Sequence, residues 1–343
     1  MKPNVSIIIL NWNGYEDTLE CLESLYQIDY PNYNVIVVDN GSEDDSIKII
    51  KDYCAGKIKI GSDFFDYDIN NKPIDIYEFC EENSEVITCI SNQFFNNNNH
   101  NKLILIKNNK NYGFAEGNNI AIKFVINNLN SDYILLLNND TVTESNFLEK
   151  LVSIGTNDTN VGIIGPNIYY YDSPNLLQSS GAEINWNKGS SRLLNNLDSK
   201  NVVEVDYVSG CALLAKTELF SKIGFLNSEY FAYWEEADFC IRAINKGYKV
   251  INISNSKVYH KISSSTGKKG VYHYYMRRNM FWFMKQHASL NQRVSFFAYY
   301  FLFKIWVDSF SLFIYKKDIN SVFYLLKGTL DGLFKNNKSL RIS

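Results

Sequence analysis

The sequence predicts an α/β protein: a mostly parallel mixed sheet flanked by helices, with a C-terminal helical extension. Three observations carry this. Short β-branched or leucine-rich runs alternate with stretches of helical spacing, the order that builds parallel sheets through right-handed crossovers. The runs stop abruptly in polar side chains, as strands do where their carboxyl ends open on a ligand crevice. From Gly270 onward the composition changes, with eleven Lys and Arg against three Asp and a high density of Phe, Tyr and Trp.

Taken in order, Val5–Leu10 is the first strand; it ends in Asn11-Trp12-Asn13-Gly14, and Thr18–Leu25 follows with helical spacing. Asn34–Asp39 is the second, closed by Asn40-Gly41-Ser42 and a helix from about Asp44 to Asp52. Residues 53–101 read as an insertion, polar and irregular, ending in Asn96-Asn97-Asn98-Asn99: surface elaboration or partial disorder. Strands resume at Leu103–Ile106, and the glycine-rich turn Asn111–Asn119 precedes a helix to about Asn127. Tyr133–Leu137 then runs straight into Asn138-Asn139-Asp140. The stretch 161–205 is loop-rich with short strands, and Val208–Ala215 resumes a buried strand. An aromatic turn, Tyr230–Trp234, leads into a helix through Ala243, and Lys257–Tyr259 is a strand that delivers His260. The organisation is a domain over residues 1–269 and a basic, aromatic-rich helical tail over 270–343.

At 343 residues, 45% hydrophobic and 21% charged, the chain can bury a large core. Six cysteines occur with no C-x-x-C pair, which indicates reduced thiols rather than a zinc ribbon or a disulfide framework. The amino terminus enters strand-like sequence directly and has no signal-peptide pattern. The net charge of −3 hides an acidic front and a tail with a surplus of eight positive charges. Aromatic density without a nucleic-acid motif argues for an anionic membrane surface over nucleic acid as its partner. Phe296–Tyr315 is apolar, but Lys304 and Asp308 interrupt it one helical turn apart. Such a helix is expected to rest in a membrane interface, or else to pack on the domain or a second subunit.

Chemistry is concentrated in three places. Asp140 ends the strand and turn described above, although an Asx turn alone would explain that pattern. Glu235, Glu236 and Asp238 crowd one helical turn, where the helix dipole favours acids but an aromatic approach by Phe231, Tyr233 and Trp234 also raises a carboxyl toward a general base. His260 with Asp140 makes a nitrogen and oxygen set suited to Mn²⁺ or Mg²⁺. No G-x-G-x-x-G or G-x-x-x-x-G-K-[ST] occurs, so dinucleotide and P-loop readings fail.

Taken together, the segments VSIIILNWNG, VVDNGS, NYGFAEGNN, YILLLNNDT, VSGCALLA, YWEEADFCIRA and VYH, in this order over about residues 4–53 and 102–262, resemble glycosyltransferase family 2. The resemblance is to the glycosyltransferase A-type, Rossmann-like fold and to the rhamnosyltransferase-like branch. It implies an inverting enzyme, a nucleoside-diphosphate sugar donor, a divalent metal, Mn²⁺ or Mg²⁺, and a glycan or lipid-linked acceptor. Carried over by position, Leu10, Asn11, Trp12, Asn13 and Asp39 would hold the nucleoside, and Asn118 would touch the nucleotide. Asn138 and Asn139 would meet the diphosphate, while Asp140 and His260 would bind the metal. Glu236 would be the base, with Trp234, Glu235, Asp238 and Arg242 in support.

Two departures matter. Asn138 stands where the family usually has the first Asp of D-x-D, which removes one charge from the metal site. Glu236 stands where Asp is more usual, which lengthens the reach of the base by one methylene. The expected setting is the cytoplasmic face of a membrane, in surface polysaccharide or glycoprotein glycan assembly. The competing class, suggested by Asn138, is a catalytically silent nucleotide-sugar-binding or scaffold protein.

Overall fold

The computed structural model describes residues 2–82, 85–88, 101–194, 201–261 and 269–334. Strand β1 (Val5–Asn11) leads into α1 (Tyr15–Leu25), β2 (Tyr33–Asp39) and α2 (Ser46–Cys54). After β3 (Asp75–Glu82) and β4 (Glu85–Thr88) come β5 (Lys102–Lys107), α3 (Gly113–Asn128) and β6 (Tyr133–Asn138). The chain continues through β7 (Thr141–Thr143), α4 (Phe147–Asn157), β8 (Val161–Tyr170) and β9 (Ser173–Ser179), then a separate hairpin of β10 (Ala182–Asn185) and β11 (Ser190–Leu193). The remaining elements are β12 (Val202–Glu204), β13 (Ala212–Lys216), α5 (Thr217–Ile223), α6 (Glu235–Asn245), β14 (Lys249–His260), α7 (Lys269–His287), α8 (Leu290–Tyr315) and α9 (Ile319–Phe334).

Twelve strands form one sheet in the order β12-β14-β8-β13-β6-β1-β2-β5-β3-β4, with β7 on β14 and β9 on β8. The run β6-β1-β2-β5-β3 is parallel, and β13 enters antiparallel between β6 and β8. Strands covered on both faces must be apolar throughout, which is why β1 and β6 read as continuous hydrophobic runs. Alternation then divides them: Ile8 packs into one core cluster, whereas Ile7 and Ile9 pack into the other.

The insertion departs from expectation. Within residues 53–101, β3 and β4 extend the sheet, because β3 pairs parallel with β5 and β4 antiparallel with β3. Its root is fixed by Glu23 on α1, whose buried carboxylate accepts from Lys72 Nζ (2.8 Å), Tyr53 Oη (2.7 Å), Asp68 N (2.9 Å) and Gln27 Nε2 (2.9 Å). Burial alone would raise the pKa of Glu23, but those four donors outweigh it and hold the carboxyl below its ordinary value. The Asn96–Asn99 run lies outside the described residues. The cysteine expectation also needs correction. Cys80 on β3 is disulfide-bonded, while Cys21, Cys54, Cys211 and Cys240 are free and buried; Cys89 and His100 lie outside the described residues.

The glycine-rich segment before α3 is not a free turn, since the helix begins at Gly113 and takes Gly117, Asn118 and Asn119 into its first turns. The stretch 161–205 holds the ten-residue strand β8 and four shorter ones. The boundary expected at residue 270 falls where α7 begins, yet Met280, Phe281, Trp282, Phe283 and Met284 of α7 share a core cluster with α3 and α6.

Candidate active site at the carboxyl edge of the sheet

The parallel register aligns the polar strand ends, pairing Asn11 with Asp39 and Leu10 with Asn138. Asn11 is fully buried, donating Nδ2 to Asp39 Oδ1 (2.9 Å) and Ser42 Oγ (3.2 Å) and accepting from Thr18 Oγ1 (2.7 Å). Asp39 also accepts from Ser42 N (3.1 Å). Asn139 turns its amide back to the start of α1, donating to Gly14 O (3.2 Å) and Thr18 Oγ1 (3.1 Å). A continuous hydrogen-bond chain thus runs from Asp39 through Asn11 and Thr18 to Asn139, and it links three strand ends and one helix start.

This sorts the expected donor-binding residues. Trp12 and Asn138 are half-buried, Asn13 is exposed, and Leu10 lies over α3, within 2.8 Å of where a Cβ on Gly117 would be. In the floor of the site Asn11 and Asp39 bond directly, and Asn139 joins them through Thr18. Asn118 is buried within α3 and donates Nδ2 to Phe114 O (2.8 Å). Sequence alone does not separate floor from surface among Asn11, Asn13, Asp39, Asn138 and Asn139, because each is a small polar group at a strand end.

Asp140 and His260 meet as expected. Antiparallel pairing of β14 with β7 sets His260 opposite Thr141, and His260 Nε2 lies 3.2 Å from Asp140 Oδ1. On the other side of the ring Nδ1 is 3.2 Å from Gln178 Oε1 on β9. The Gln178 acceptor favours the tautomer with the proton on Nδ1, which leaves the Nε2 lone pair directed to the carboxylate. Metal bonds of about 2.1 Å meeting at a right angle place two ligand atoms about 3.0 Å apart, so this pair can hold a divalent cation. Among the described residues no group of three or more His, Cys, Asp or Glu converges as a metal cage. Two protein ligands therefore leave several positions to oxygen ligands from elsewhere, an arrangement suited to a cation that is shared with a diphosphate.

The acid cluster lies at the start of α6. Glu235 is buried, Glu236 is half-buried, and each has an Oε2 without a hydrogen-bond partner among the described residues. Burial, then the charge of Glu236, drives Glu235 well above the ordinary glutamate range; burial also raises Glu236. Two adjacent buried carboxyls do not both ionise. Glu235 is the member pushed higher, by burial and then by the charge of Glu236. Gly210 lies under Glu236, whose Cβ, Cγ and Cδ are 3.5, 3.6 and 3.7 Å from the position a Cβ on Gly210 would take. Next to Gly210 is Cys211, whose thiol is pushed up to about 12 by burial first and then by the charges of Asp140 and Glu236. Cys211 O accepts from Asn138 N (2.9 Å), which ties this segment to the end of β6.

Asp238 and Arg242 have a different job. Asp238 is fully buried on the far side of α6, accepting from Arg242 Nε (2.8 Å) and paired with His287 Nε2 of α7 (2.7 Å). Arg242 continues to the Ile223 and Phe225 carbonyls. These residues anchor the helix rather than the carboxyl pair, and His287, to which the sequence assigned no role, is part of that anchor.

Sequence reasoning also missed how the aromatic turn is held. Phe231, Tyr233 and Trp234 adopt φ of 66°, 69° and 75°, a left-handed region that disfavours bulky side chains. Asn279 of α7, fully buried, donates Nδ2 to Tyr230 O (2.9 Å), Ala232 O (2.8 Å) and Tyr233 O (2.8 Å). Arg278 donates to Glu229 O and Tyr230 O (both 2.8 Å), with its guanidinium 4.2 Å from the Trp282 ring centroid. From α3, Phe114 N donates to Phe231 O (2.7 Å). Gly113 is required there, since a Cβ would lie 2.5 Å from the Phe231 ring. The one available signal was the Arg278-Asn279 pair inside an otherwise aromatic helix.

Comparison with known proteins agrees with this architecture. The chain matches Glycosyl transferase family 2 over residues 6–63 and Glycosyl transferase family group 2 over residues 133–322. It is 31% identical over 161 residues to the low-salt glycan biosynthesis hexosyltransferase Agl10 of Haloferax volcanii, a match that covers 46% of this chain and about half (51%) of that protein. Among solved structures it is similar to S. aureus TarS 1–349 (TM-score 0.53, 16% identity, 97% of this chain and 82% of that one). It is also similar to the mannosyltransferase PcManGT from Pyrobaculum calidifontis, in complex with GDP-Man and Mn²⁺ (TM-score 0.57, 12% identity, 98% and 88%). At such identities the structures show the shared glycosyltransferase A-type fold. With the second match spanning more than half of its length, the chain belongs to glycosyl transferase family 2.

Proposed function

We propose that the protein is an inverting glycosyltransferase that moves a sugar from a nucleoside-diphosphate donor to a hydroxyl of a glycan or lipid-linked acceptor. The observation that carries this reading is that the segment leading into β13 joins the two acids: Glu236 packs on Gly210, and the next residue, Cys211, accepts from the N–H of Asn138, two positions before Asp140. One carboxylate faces His260 over the strand-end floor, and the other is a buried acid with raised pKa. The hexosyltransferase and mannosyltransferase among its relatives support sugar transfer, and rhamnosyl transfer is the narrower form suggested by the sequence motifs.

In this reading Trp12 and Asn13 border the nucleoside, and the Asp39 to Asn139 chain keeps the floor rigid so that little is reorganised as the diphosphate leaves. Asp140 and His260 would hold a divalent ion, Mn²⁺ or Mg²⁺, and such an ion would supply positive charge to offset the negative charge developing on the leaving diphosphate. With Asn138 in place of an acid, the protein contributes less negative charge to that ion and relies more on the donor to complete its shell. Glu236 accepts the proton of the acceptor hydroxyl as that oxygen attacks the anomeric carbon from the side opposite the leaving group, which gives inversion. General-base assistance of this kind is worth ~10²–10⁴-fold. Glu235, the member pushed higher, keeps its proton and does not compete for the role. The setting we propose is the cytoplasmic face of a membrane, in surface polysaccharide or glycoprotein glycan assembly.

The test is release of nucleoside diphosphate from a panel of nucleotide sugars with Mn²⁺, with and without a lipid-linked acceptor pool. Acceptor-dependent release with one donor supports transfer. Tight donor binding with no release from any donor would favour the silent-binder reading that Asn138 suggests.

A further inference from the structure

The two C-terminal helices are packed inside out. On α9 the face turned to α7 carries Ser321, Gly328, Thr329 and Gly332 beside Leu325, and the approach is close. A Cβ at Gly328 would lie 2.4 Å from Tyr274 O, and one at Gly332 would lie 2.8 Å from Phe281 Cβ. The opposite face presents Ile319, Phe323, Leu326, Leu330 and Phe334 to the outside, with Phe334 78% exposed. A helix folding in water buries its large apolar residues and exposes its small ones; this one does the reverse, as helices do when the surroundings are as apolar as leucine.

On α8 the polarity is inverted in the same sense. Lys304 and Asp308, which interrupt the apolar stretch in the sequence, do not face outward. They pair with each other (Nζ to Oδ1, 2.7 Å) and Asp308 also takes Arg277 of α7, so the charges are turned to the protein. What faces outward is Leu302, Phe303, Trp306, Val307, Phe310 and Phe313. Trp306 is 68% exposed, yet its indole N–H is already given to Phe301 O (2.8 Å) and asks nothing of water. Only 11% of the apolar window of α8 is buried, and the helix is long and apolar enough to cross a membrane. At the join of the two helices Lys316 and Lys317 are both exposed, a basic edge beside an apolar face.

We infer that the outer face of α8 and α9 is immersed in the hydrocarbon of a phospholipid bilayer, with Lys316 and Lys317 at the level of the phosphates. Paired charges turned inward, small residues at the helix contact and a basic rim fit lipid. A second copy of the chain would instead be matched by polar groups at the rim of the patch and a satisfied partner for Trp306. The inference deepens the membrane setting proposed above but is independent of Glu236, and catalytically inactive protein would bind equally.

The experiment is flotation of the full-length protein with vesicles of phosphatidylcholine alone and with added phosphatidylglycerol, at low salt and in 1 M NaCl as an order-of-magnitude high-salt condition where screening acts within about 3 Å. The expected result is binding to both vesicle types that survives high salt. Quenching of tryptophan emission by lipids brominated in the acyl chain should be lost in Trp306→Phe. The combined Phe303→Ser, Trp306→Ser and Phe310→Ser variant should bind at least ~10-fold more weakly, as loss of several buried side chains requires. Replacing Lys316 and Lys317 by Ser should remove only the extra binding to anionic vesicles. Release by salt would overturn the inference in favour of surface electrostatics. Unchanged flotation of the triple variant would also overturn it, as would its conversion of a lipid-free dimer to monomer without a change in flotation.

Discussion

Two sets of buried glutamates separate structure from function in this molecule. Glu23, at the root of the insertion, is fully buried and receives four donors, among them the buried ammonium of Lys72. Glu235 and Glu236, at the start of α6, each leave a carboxylate oxygen without a partner among the described residues, beside a turn of three residues with positive φ. The first site is an ion pair that the fold satisfies completely. The second holds unsatisfied acid in place with hydrogen bonds supplied from another helix. Cost that the local structure does not offset points to the place where chemistry is done.

The sharpest way to break the contrast is Glu23→Gln, which strands Lys72 without a counter-charge. Removing one partner of such a pair costs about 3–5 kcal/mol, so thermal unfolding should move down by many degrees while turnover per folded molecule stays near the parent value. The pH dependence has a definite sign. Glu23 has a lowered pKa in the folded state, so its contribution is present above the ordinary glutamate value of 4.5 and is lost as pH falls through its folded value. Parent and variant should therefore converge in stability in acid. Equal stability at neutral pH would mean that Glu23 is not the anchor of the insertion.

Asn279→Ala addresses the support of the second site. Three carbonyls of a strained turn lose their donor, at a cost of about 1–3 kcal/mol. If the turn positions Glu236, the acid limb of the pH profile for kcat/KM shifts as well; a drop in unfolding temperature with an unmoved profile would make Asn279 a structural residue only. Smaller again, and opposite in direction to Glu23, is Glu235→Gln. The folded pKa of Glu235 is raised, so in the unfolded chain it ionises first and the folded state loses stability as pH rises above 4.5. The variant should be more stable than the parent at pH 8 and indistinguishable near pH 4, measured by denaturant midpoints (both pH values being approximate, about half a unit either side of the window). A variant less stable than the parent at pH 8 would show that Glu235 is held charged.

The strand-end residues were more legible in the sequence than the surroundings of Glu236, for a physical reason. Continuous apolar strands ending in Asn or Asp are local patterns, and parallel register alone brings Asn11, Asp39 and Asn138 together. Asp140 and His260 were recoverable because their chemistry is distinctive even though 120 residues separate them. What was illegible depends on which way a side chain points. Asn139 carries the same amide as Asn138 but donates it to Gly14 O and Thr18 Oγ1 at the start of α1. Asp238 carries the same carboxylate as Glu236 but turns to His287. Arg278 and Asn279 act on backbone carbonyls more than forty positions away, a use that leaves no periodic signature. The insertion misled because its strands pair with the edge of a sheet already formed, and edge strands need no continuous apolar run. In the tail, Lys304 and Asp308 interrupted the hydropathy pattern, and only the pairing with Arg277 shows that they face inward.

The central claim is that Glu236 takes the acceptor proton while the Asp39 to Asp140 floor holds the donor. Glu236→Gln separates the two halves of the site in a single variant, measured by donor affinity and by transfer to acceptor under one set of conditions. The account predicts donor binding within about threefold of the parent and transfer reduced by ~10²–10⁴-fold. Transfer at the parent rate, or loss of donor binding in step with transfer, would contradict it.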